Sequence, residues 1–451
     1  MADLAIIGAG PAGLAAALAA AARGVRVTLL DSAPGAGGQF YRQPAPALGA
    51  RRPQALHHQW RTWERLRDGL ARELRAGRVR HLTEHQVWHV EPRPAGGITL
   101  HALRGPARDE GTAHPADAVL LATGGYERVL PFPGWTLPGV VTAGGAQAML
   151  KGGLVLPGRT VVVAGTGPLL LPVATGLAAA GARIAALVES ADPRAVLREA
   201  RALLPKAPEA AAYAAALLRR RVPVLARHTV VAAHGRDRLD AVTVVSLATG
   251  ATRRIPCDTL AVGHGMLAHT DLAGALGCSL DGDRVRVDDE QRTDVPGVWA
   301  AGETTGVGGA ALALAEGHLA GRSAAARLTG TTPDAHPAAV RARNRMRRVA
   351  TALERAYAPP PDWPDRVTDD TILCRCEEVT VGAVREATDT LGAGDLRTVK
   401  LLTRAGMGWC QGRVCTPALT TLTKSPLPPT HPHLPHPIPL NTLTTPPQQP
   451  T

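Results

Sequence analysis

The sequence predicts an α/β protein in which one parallel-sheet unit is interrupted by a second of the same kind. A small helical, cysteine-bearing module follows them. Three observations predict this. A pattern of strand, Gly-rich turn, helix, strand and terminal acid occurs twice, at Leu4 to Asp31 and at Thr160 to Glu189. The 451 residues suit roughly three domains. Four of the six cysteines fall between Cys374 and Cys415, near the C-terminus.

The first repeat reads LAIIGAGPAGLAAALAAAARGVRVTLLD. Gly8 permits a tight turn, Gly10 lets the backbone approach a pyrophosphate, and Gly13 lets helix and strand pack closely. Pro11 and Ala12 fill the first helical turn, whose free N–H groups and partial positive charge suit phosphate. Asp31, at the end of the second strand, stands where a carboxylate can accept from a ribose.

The second repeat reads TVVVAGTGPLLLPVATGLAAAGARIAALVE. Gly165 to Gly181 has the same spacing as Gly8 to Gly24. Gly165 and Gly167 keep the phosphate-turn glycines, but Leu170 holds the third position. Glu189 comes one position later after Gly165 than Asp31 does after Gly8. An acid there favours NAD over NADP, because it repels a 2′-phosphate. The second unit takes NAD, another adenine nucleotide, or nothing.

Two such units imply two Rossmann-like dinucleotide-binding domains. The first is expected at residues 1–125 and 255–330, with the second inserted at 126–254. An Arg/Ala-rich helix and a Pro-rich linker are expected at 333–370, the cysteine module at 371–418, and a Pro/Thr-rich tail at 419–451. Little in that tail can form a core, so it reads as extended or disordered. His431, His433 and His436 suggest a metal tract or simply a floppy segment.

The fingerprint serves FAD and NAD alike, and two later segments favour FAD. Ala118 to Gly125 is a buried strand ending in the small turn Ala122-Thr123-Gly124. Val298 to Glu303 is a strand ending in an acid, followed by Gly306-Val307-Gly308-Gly309-Ala310 and a helix. Here the chain resembles the glutathione-reductase-like flavoproteins with two dinucleotide-binding domains. The resemblance implies that Gly302 and Glu303 meet the ribityl or phosphate part of FAD. It implies that Gly308, Gly309 and Ala310 open a helix facing the flavin. It further implies that Gly38 and Gln39 approach the flavin and that the backbone at Val87 meets the adenine. The reductase disulfide is absent: the equivalent segment reads Thr142-Ala143-Gly144-Gly145-Ala146-Gln147.

The most specific feature is a pair of cysteine pairs, Cys374-x-Cys376 and Cys410-x4-Cys415. Four thiolates in two close pairs suit zinc or an iron–sulfur cluster, or remain free thiols. Thr380 and Asp395 are placed to cap helices over about 381–390 and 396–403. Arg404 to Gly408 forms a loop whose N–H groups can donate to sulfur, and Arg375, Lys400, Arg404 and Arg413 can offset cluster charge. The module resembles the bacterioferritin-associated-ferredoxin-like domain, which implies a [2Fe–2S] cluster. Cys257 and Cys278 read as buried apolar residues.

Composition excludes several classes. Apolar residues are 45%, charged residues 20% and aromatics 3%, which fits a globular chain cored on Ala, Val and Leu. The formal charge is +12, from 50 Lys plus Arg, only four of them Lys. These cations are interspersed with acids, so a solvated surface is expected and no nucleic-acid partner. No 18-residue apolar run spans a membrane, the N-terminus lacks a basic signal region, and the chain reads as cytoplasmic. No Ser/His/Asp set, HExxH motif or paired carboxylates appear, and His264 reads as structural.

Over residues 1–418 the chain resembles the FAD-containing α or B subunits of heteromeric amine and amino-acid dehydrogenases. That group includes opine oxidase, hydroxyproline or proline dehydrogenase, sarcosine oxidase and hydrogen cyanide synthase. The residues that carry the resemblance are Gly37-Gly38-Gln39-x-Tyr41-Arg42, Glu127 to Trp135, Gly165 to Leu170, Gly302 to Gly309 and the cysteine module. It implies an electron-transfer role beside an amino-acid-oxidase-like flavoprotein subunit and a small ferredoxin-like subunit. The alternatives are a stand-alone NAD(P)H-dependent ferredoxin-type reductase and a non-enzymatic nucleotide and iron–sulfur scaffold.

Overall fold

The computed structural model describes residues 2–94, 96–333, 336–425 and 436–444. Asp3–Ile7 lies at the centre of a five-stranded parallel sheet ordered Val298–Ala300, Ala118–Leu121, Asp3–Ile7, Arg26–Leu30, Val79–Leu82. A second parallel sheet repeats the plan, ordered Val140–Thr142, Thr259–Gly263, Thr160–Gly165, Arg183–Glu189, Val224–Ala226. The strands are near-continuous apolar runs because both faces of each sheet are covered. Separate cores lie on the two sides of the first sheet and of the second.

Thr259–Gly263 corrects one expectation. Assigned to the first unit by the 255–330 boundary, it pairs instead with Thr160–Gly165 and Val140–Thr142. The physical reason is the repeat itself. Each unit needs its own strand beside the Gly-turn strand, and Thr259–Gly263 is to the second unit what Ala118–Leu121 is to the first. The chain crosses between the units on the strand pair that joins Gly125–Glu127 to Met266–Ala268.

Helix Pro11–Ala21 packs tightly on helix Ala310–Leu328. A Cβ on Gly317 would lie 2.0 Å from Ala12 O, and one on Gly321 would lie 2.3 Å from Ala16 O. This close approach is what the Ala-rich, aromatic-poor composition provides. Helix Pro337–Ala356 is no mere lead-in to a linker. Its fully buried Arg343 pairs with Asp289, and Arg347 pairs with the buried Glu316. Its C-terminal Arg355 reaches Glu199 of the second unit.

The cysteine module has its own core, which also takes in Leu130. Trp135 Nε1 donates to Ile372 O at 2.5 Å. The expected start of the tail at 419 is corrected: helix Thr416–Thr423 runs past it and Leu419 lies in the module's core, and among the described residues 436–444 the His436 ring lies 5.7 Å from that of His269. His431 and His433 fall outside the described residues. Among the described residues no helix is long and apolar enough to cross a membrane.

Candidate functional site

The first Gly-rich turn is built from contacts that only glycine permits. Gly8 has φ +105° and would place a Cβ 2.3 Å from Ala122 O; at Gly13 a Cβ would lie 1.8 Å from Gly8 O. Gly38 faces Gly10 across the turn, where an added Cβ would be 2.8 Å from Gly10 Cα. Helix Pro11–Ala21 starts on Gly10 with no side-chain cap, so its N-terminus keeps donors for an anion. Asp31 accepts from Ala9 N through Oδ2 at 2.5 Å and from Ala33 N through Oδ1 at 2.7 Å. Burial raises its pKa. His85 N donates to Asp31 O two residues before Val87. The Val87 side chain itself lies in the core with Ile7 and Leu30.

Across the carboxyl ends of this sheet lie the later segments. A Cβ on Gly302 would be 2.8 Å from Ala12 Cβ, and one on Gly125 would be 3.6 Å from Glu303 Cβ. Thr123 Oγ1 donates to His269 O at 2.7 Å, and Thr304 Oγ1 donates to the same oxygen at 2.9 Å. Gly302 N donates to Glu316 Oε2 at 2.9 Å. Glu303 Oε1 accepts from Gly309 N at 2.8 Å, while its buried Oε2 has no hydrogen-bond partner among the described residues. Burial pushes this carboxyl up to about 7. A buried, unpaired acceptor beside an uncapped glycine turn into helix Ala310–Leu328 fits a hydroxyl-bearing ligand, because leaving it unpaired costs about 1–3 kcal/mol. The donors and acceptors present therefore fit FAD.

The Gly37–Arg42 loop carries Gln39, whose Oε1 accepts from Arg42 Nη2 at 2.7 Å. Sequence reasoning missed Lys151, which donates to Phe40 O at 3.0 Å and ties this loop to helix Ala143–Gly153. Burial lowers its pKa to about 8. Glu127 Oε1 accepts from Gly144 N at 2.7 Å, at that helix's other end.

The second turn differs in ways the sequence foretold only partly. Glu189 repeats the role of Asp31: it accepts from Gly167 N at 3.1 Å and Ala191 N at 2.9 Å. Its one-position offset is absorbed by a register shift after Val161, which leaves Ala185 as an extra residue in Arg183–Glu189. Burial raises Glu189 to about 7. Leu170 cannot nestle as Gly13 does, so helix Leu170–Ala179 begins five residues after Gly165, whereas Pro11–Ala21 begins three after Gly8. Tyr357 then lies against Gly167, its Cβ 3.9 Å from a Cβ built there. Beyond it a cavity of about 520 Å³ is lined by Ser190, Asp192, Ser246, Arg355 and Arg366.

The four thiols form two pairs. Cys374 and Cys415 are buried, while Cys376 and Cys410 lie farther out. The Cys415 thiol donates to Cys374, which holds Cys374 down at about 5 and raises Cys415. Partial burial, then the neighbouring Cys410, raises Cys376. Gly406 N donates to Cys374 Sγ at 3.5 Å, as the loop predicted. Thr380 and Asp395 cap helices as expected, accepting from Ala383 N at 3.2 Å and Thr398 N at 2.8 Å. Among the described residues no three metal-binding side chains close on one ion position. Two dithiol pairs side by side fit the two irons of a [2Fe–2S] centre, each iron taking two thiolates. Of the four cations expected to offset its charge, Arg404 pairs with Glu377 and Arg413 with Asp271. Cys257 and Cys278 are buried elsewhere, and burial raises both thiols. His264 is buried and held down at about 4.

These two sites define an FAD-dependent oxidoreductase that also carries a [2Fe–2S] domain. The chain belongs to the pyridine nucleotide-disulphide oxidoreductase family, whose model matches residues 2–341. A BFD-like [2Fe-2S] binding domain matches residues 372–424. An opine oxidase subunit of Agrobacterium tumefaciens is 34% identical over 441 residues, covering 93% of this chain and 85% of that protein. Hydrogen cyanide synthase subunit HcnB of Pseudomonas aeruginosa is 34% identical over 437 residues, covering 91% and 90%. The fold is similar to that of L-proline dehydrogenase from P. horikoshii, with a TM-score of 0.68 and 20% identity over 98% of this chain and 79% of that one.

Proposed function

We propose that the chain is the electron-transfer subunit of a heteromeric dehydrogenase or oxidase acting on an amino acid or secondary amine. The substrate class is that of opines, proline, hydroxyproline, sarcosine or glycine. The observation that carries this reading is the presence, in one chain, of a nucleotide cradle fitted to FAD and two thiol pairs fitted to a cluster. Similarity to subunits of opine oxidase and hydrogen cyanide synthase over nine-tenths of the chain supports it. FAD, when bound, exchanges two electrons with a donor and one at a time with a cluster.

In this reading Gly8, Gly10, Pro11, Ala12, Gly13 and Gly38 bring backbone against the pyrophosphate, and Asp31 meets the ribose. Ala122, Thr123 and Gly124 wall the cradle, Gly302 and Glu303 meet the ribityl and phosphate portion, and Gly308, Gly309 and Ala310 present a helix start to the flavin. Cys374, Cys376, Cys410 and Cys415 hold the cluster. The partner is an amino-acid-oxidase-like flavoprotein that takes hydride from the substrate, with a small ferredoxin-like subunit as a further partner, and the assembly works in the cytoplasm.

The test is co-purification with such a partner and an anaerobic screen of these substrates with a dye acceptor. Flavin bleaching that requires both partner and substrate is expected. Bleaching of the isolated chain by NADH would sink the proposal in favour of a stand-alone NAD(P)H reductase, a reading that Gly165, Gly167 and Glu189 favour and Tyr357 opposes.

A further inference from the structure

The two sites are joined by a short run of polar contacts. On the flavin side, Thr123 and Thr304 both donate to the backbone oxygen of His269. The His269 imidazole lies 3.2 Å from Asp271 Oδ2 and edge-on to Tyr126, their ring centroids 6.2 Å apart. Asp271 Oδ2 accepts from Arg413 Nε at 2.7 Å and lies 2.5 Å from its Nη2. Arg413 Nη1 also donates to Cys410 O at 3.3 Å. Tyr126 feels the charges of Asp271, Arg413 and Cys410, and it directly follows Gly125, which packs on Glu303. His436 faces His269 from the C-terminal segment.

Arg413 and Asp271 are far apart in sequence, and both side chains are largely buried, 16% and 14% exposed. Two nitrogens of Arg413 close on one carboxylate oxygen of Asp271, a short, charge-assisted contact of the stronger kind. We propose that the Arg413–Asp271–His269 junction positions the Cys410 edge of the cysteine module against the flavin side, so that electrons cross between the two centres within one chain. This rests on the function proposed above. With both groups bound, one electron would pass from the reduced flavin to the oxidised cluster and one flavin proton would go to water, with no bond between heavy atoms made or broken. A one-electron acceptor, protein or dye, reoxidises the cluster before the second electron crosses. Arg413, Asp271 and His269 act as positioning residues, since none of them is a cluster ligand.

Pulse radiolysis of the purified chain holding both cofactors tests this, with methyl viologen radical as the reductant. The readout is the redistribution of one electron between the flavin and cluster absorption bands. In the unchanged protein its rate is expected to be independent of protein concentration. Asp271→Ala and Arg413→Ala should each slow it severalfold, because electron transfer falls off steeply as the gap between the two centres widens. Flavin content, iron content and both midpoint potentials should stay as they were. Asp271→Asn, which keeps the volume, guards against a folding failure, and Arg413→Lys should fall between. Arg385→Ala, which breaks a pair with Asp369 elsewhere in the module, should leave the rate unchanged. An unchanged rate in the Asp271 and Arg413 variants overturns the proposal, as does transfer that scales with protein concentration. A purified chain without flavin or iron would instead sink the functional reading, and is visible before any pulse.

Discussion

Tyr357 stands against Gly167, where a dinucleotide pyrophosphate would need bare backbone: only 3.9 Å separates its Cβ from a Cβ built on that glycine. In the first unit the equivalent residue, Gly10, faces Gly38 and has no aromatic neighbour within that distance among the described residues. The two cradles are therefore alike in strand order and unlike in access. Replacing Tyr357 with Gly should strengthen binding of NADH to the chain, read by quenching of NADH fluorescence. Equal binding before and after the change would show that Tyr357 does not guard the turn.

Gly13 and Gly35 make a matched pair of substitutions. Alanine at Gly13 would drive its Cβ to 1.8 Å from Gly8 O, while at Gly35 nothing among the described residues beyond its chain neighbours lies within 4 Å. Gly13→Ala should destabilise by about 3 kcal/mol, the upper range of overpacking costs, and lose flavin. Gly35→Ala should do neither. Urea melts with flavin absorbance measure both.

Glu303 predicts a pH dependence of the flavin-free protein. Its folded pKa of about 7 lies above the ordinary 4.5. The folded state therefore holds a proton that the unfolded state releases. Stability from this group is present below about 4.5 and is lost as pH rises toward 7, by about 3 kcal/mol in total. Glu303→Gln should remove this loss and leave the similar slope owed to Glu189, which also sits at about 7. Denaturant midpoints across that range decide it; an unaltered slope would rule the assignment out.

Arg347 neutralises a carboxylate that is almost wholly buried, Glu316, at 2.8 Å. Glu316 in turn holds Gly302 N and Thr305 Oγ1. Arg347→Ala should cost about 3 kcal/mol, because removing one partner strands a buried charge. It should also weaken flavin retention through Gly302. Chemical denaturation and flavin content read the two effects separately.

Each of Cys374, Cys376, Cys410 and Cys415 changed to Ser should lose bound iron and acid-labile sulfide. Cys257→Ser and Cys278→Ser should keep both. Retained iron in any of the first four variants would remove that residue from the ligand set.

Much of this arrangement is legible locally. Gly8-x-Gly10-x-x-Gly13, Asp31 and the Thr380 and Asp395 caps each foretell their local geometry within a few residues. What escapes a sequence reading depends on partners far apart in the chain. The repeat shows that two sheets exist, yet the sheet that claims Thr259–Gly263 is fixed only by pairing with the distant strands Val140–Thr142 and Thr160–Gly165. The one-position offset of Glu189 is visible in sequence, but the bulge that absorbs it is not. Arg343 and Arg347 sit in a run that reads as a solvated basic helix, yet both are turned onto buried acceptors. Nothing near Arg413 in sequence points to Asp271.

Helix Pro337–Ala356 is pinned to the flavin unit near its middle and to the second unit at its end. The cysteine module is pinned to both by Trp135 and Asp271. A body tied at so many points behaves like a wired circuit rather than a shuttle. In the proposed reading the gap between its two redox centres would be set when the chain folds, and the pace of turnover would pass to whatever arrives and departs at its surface.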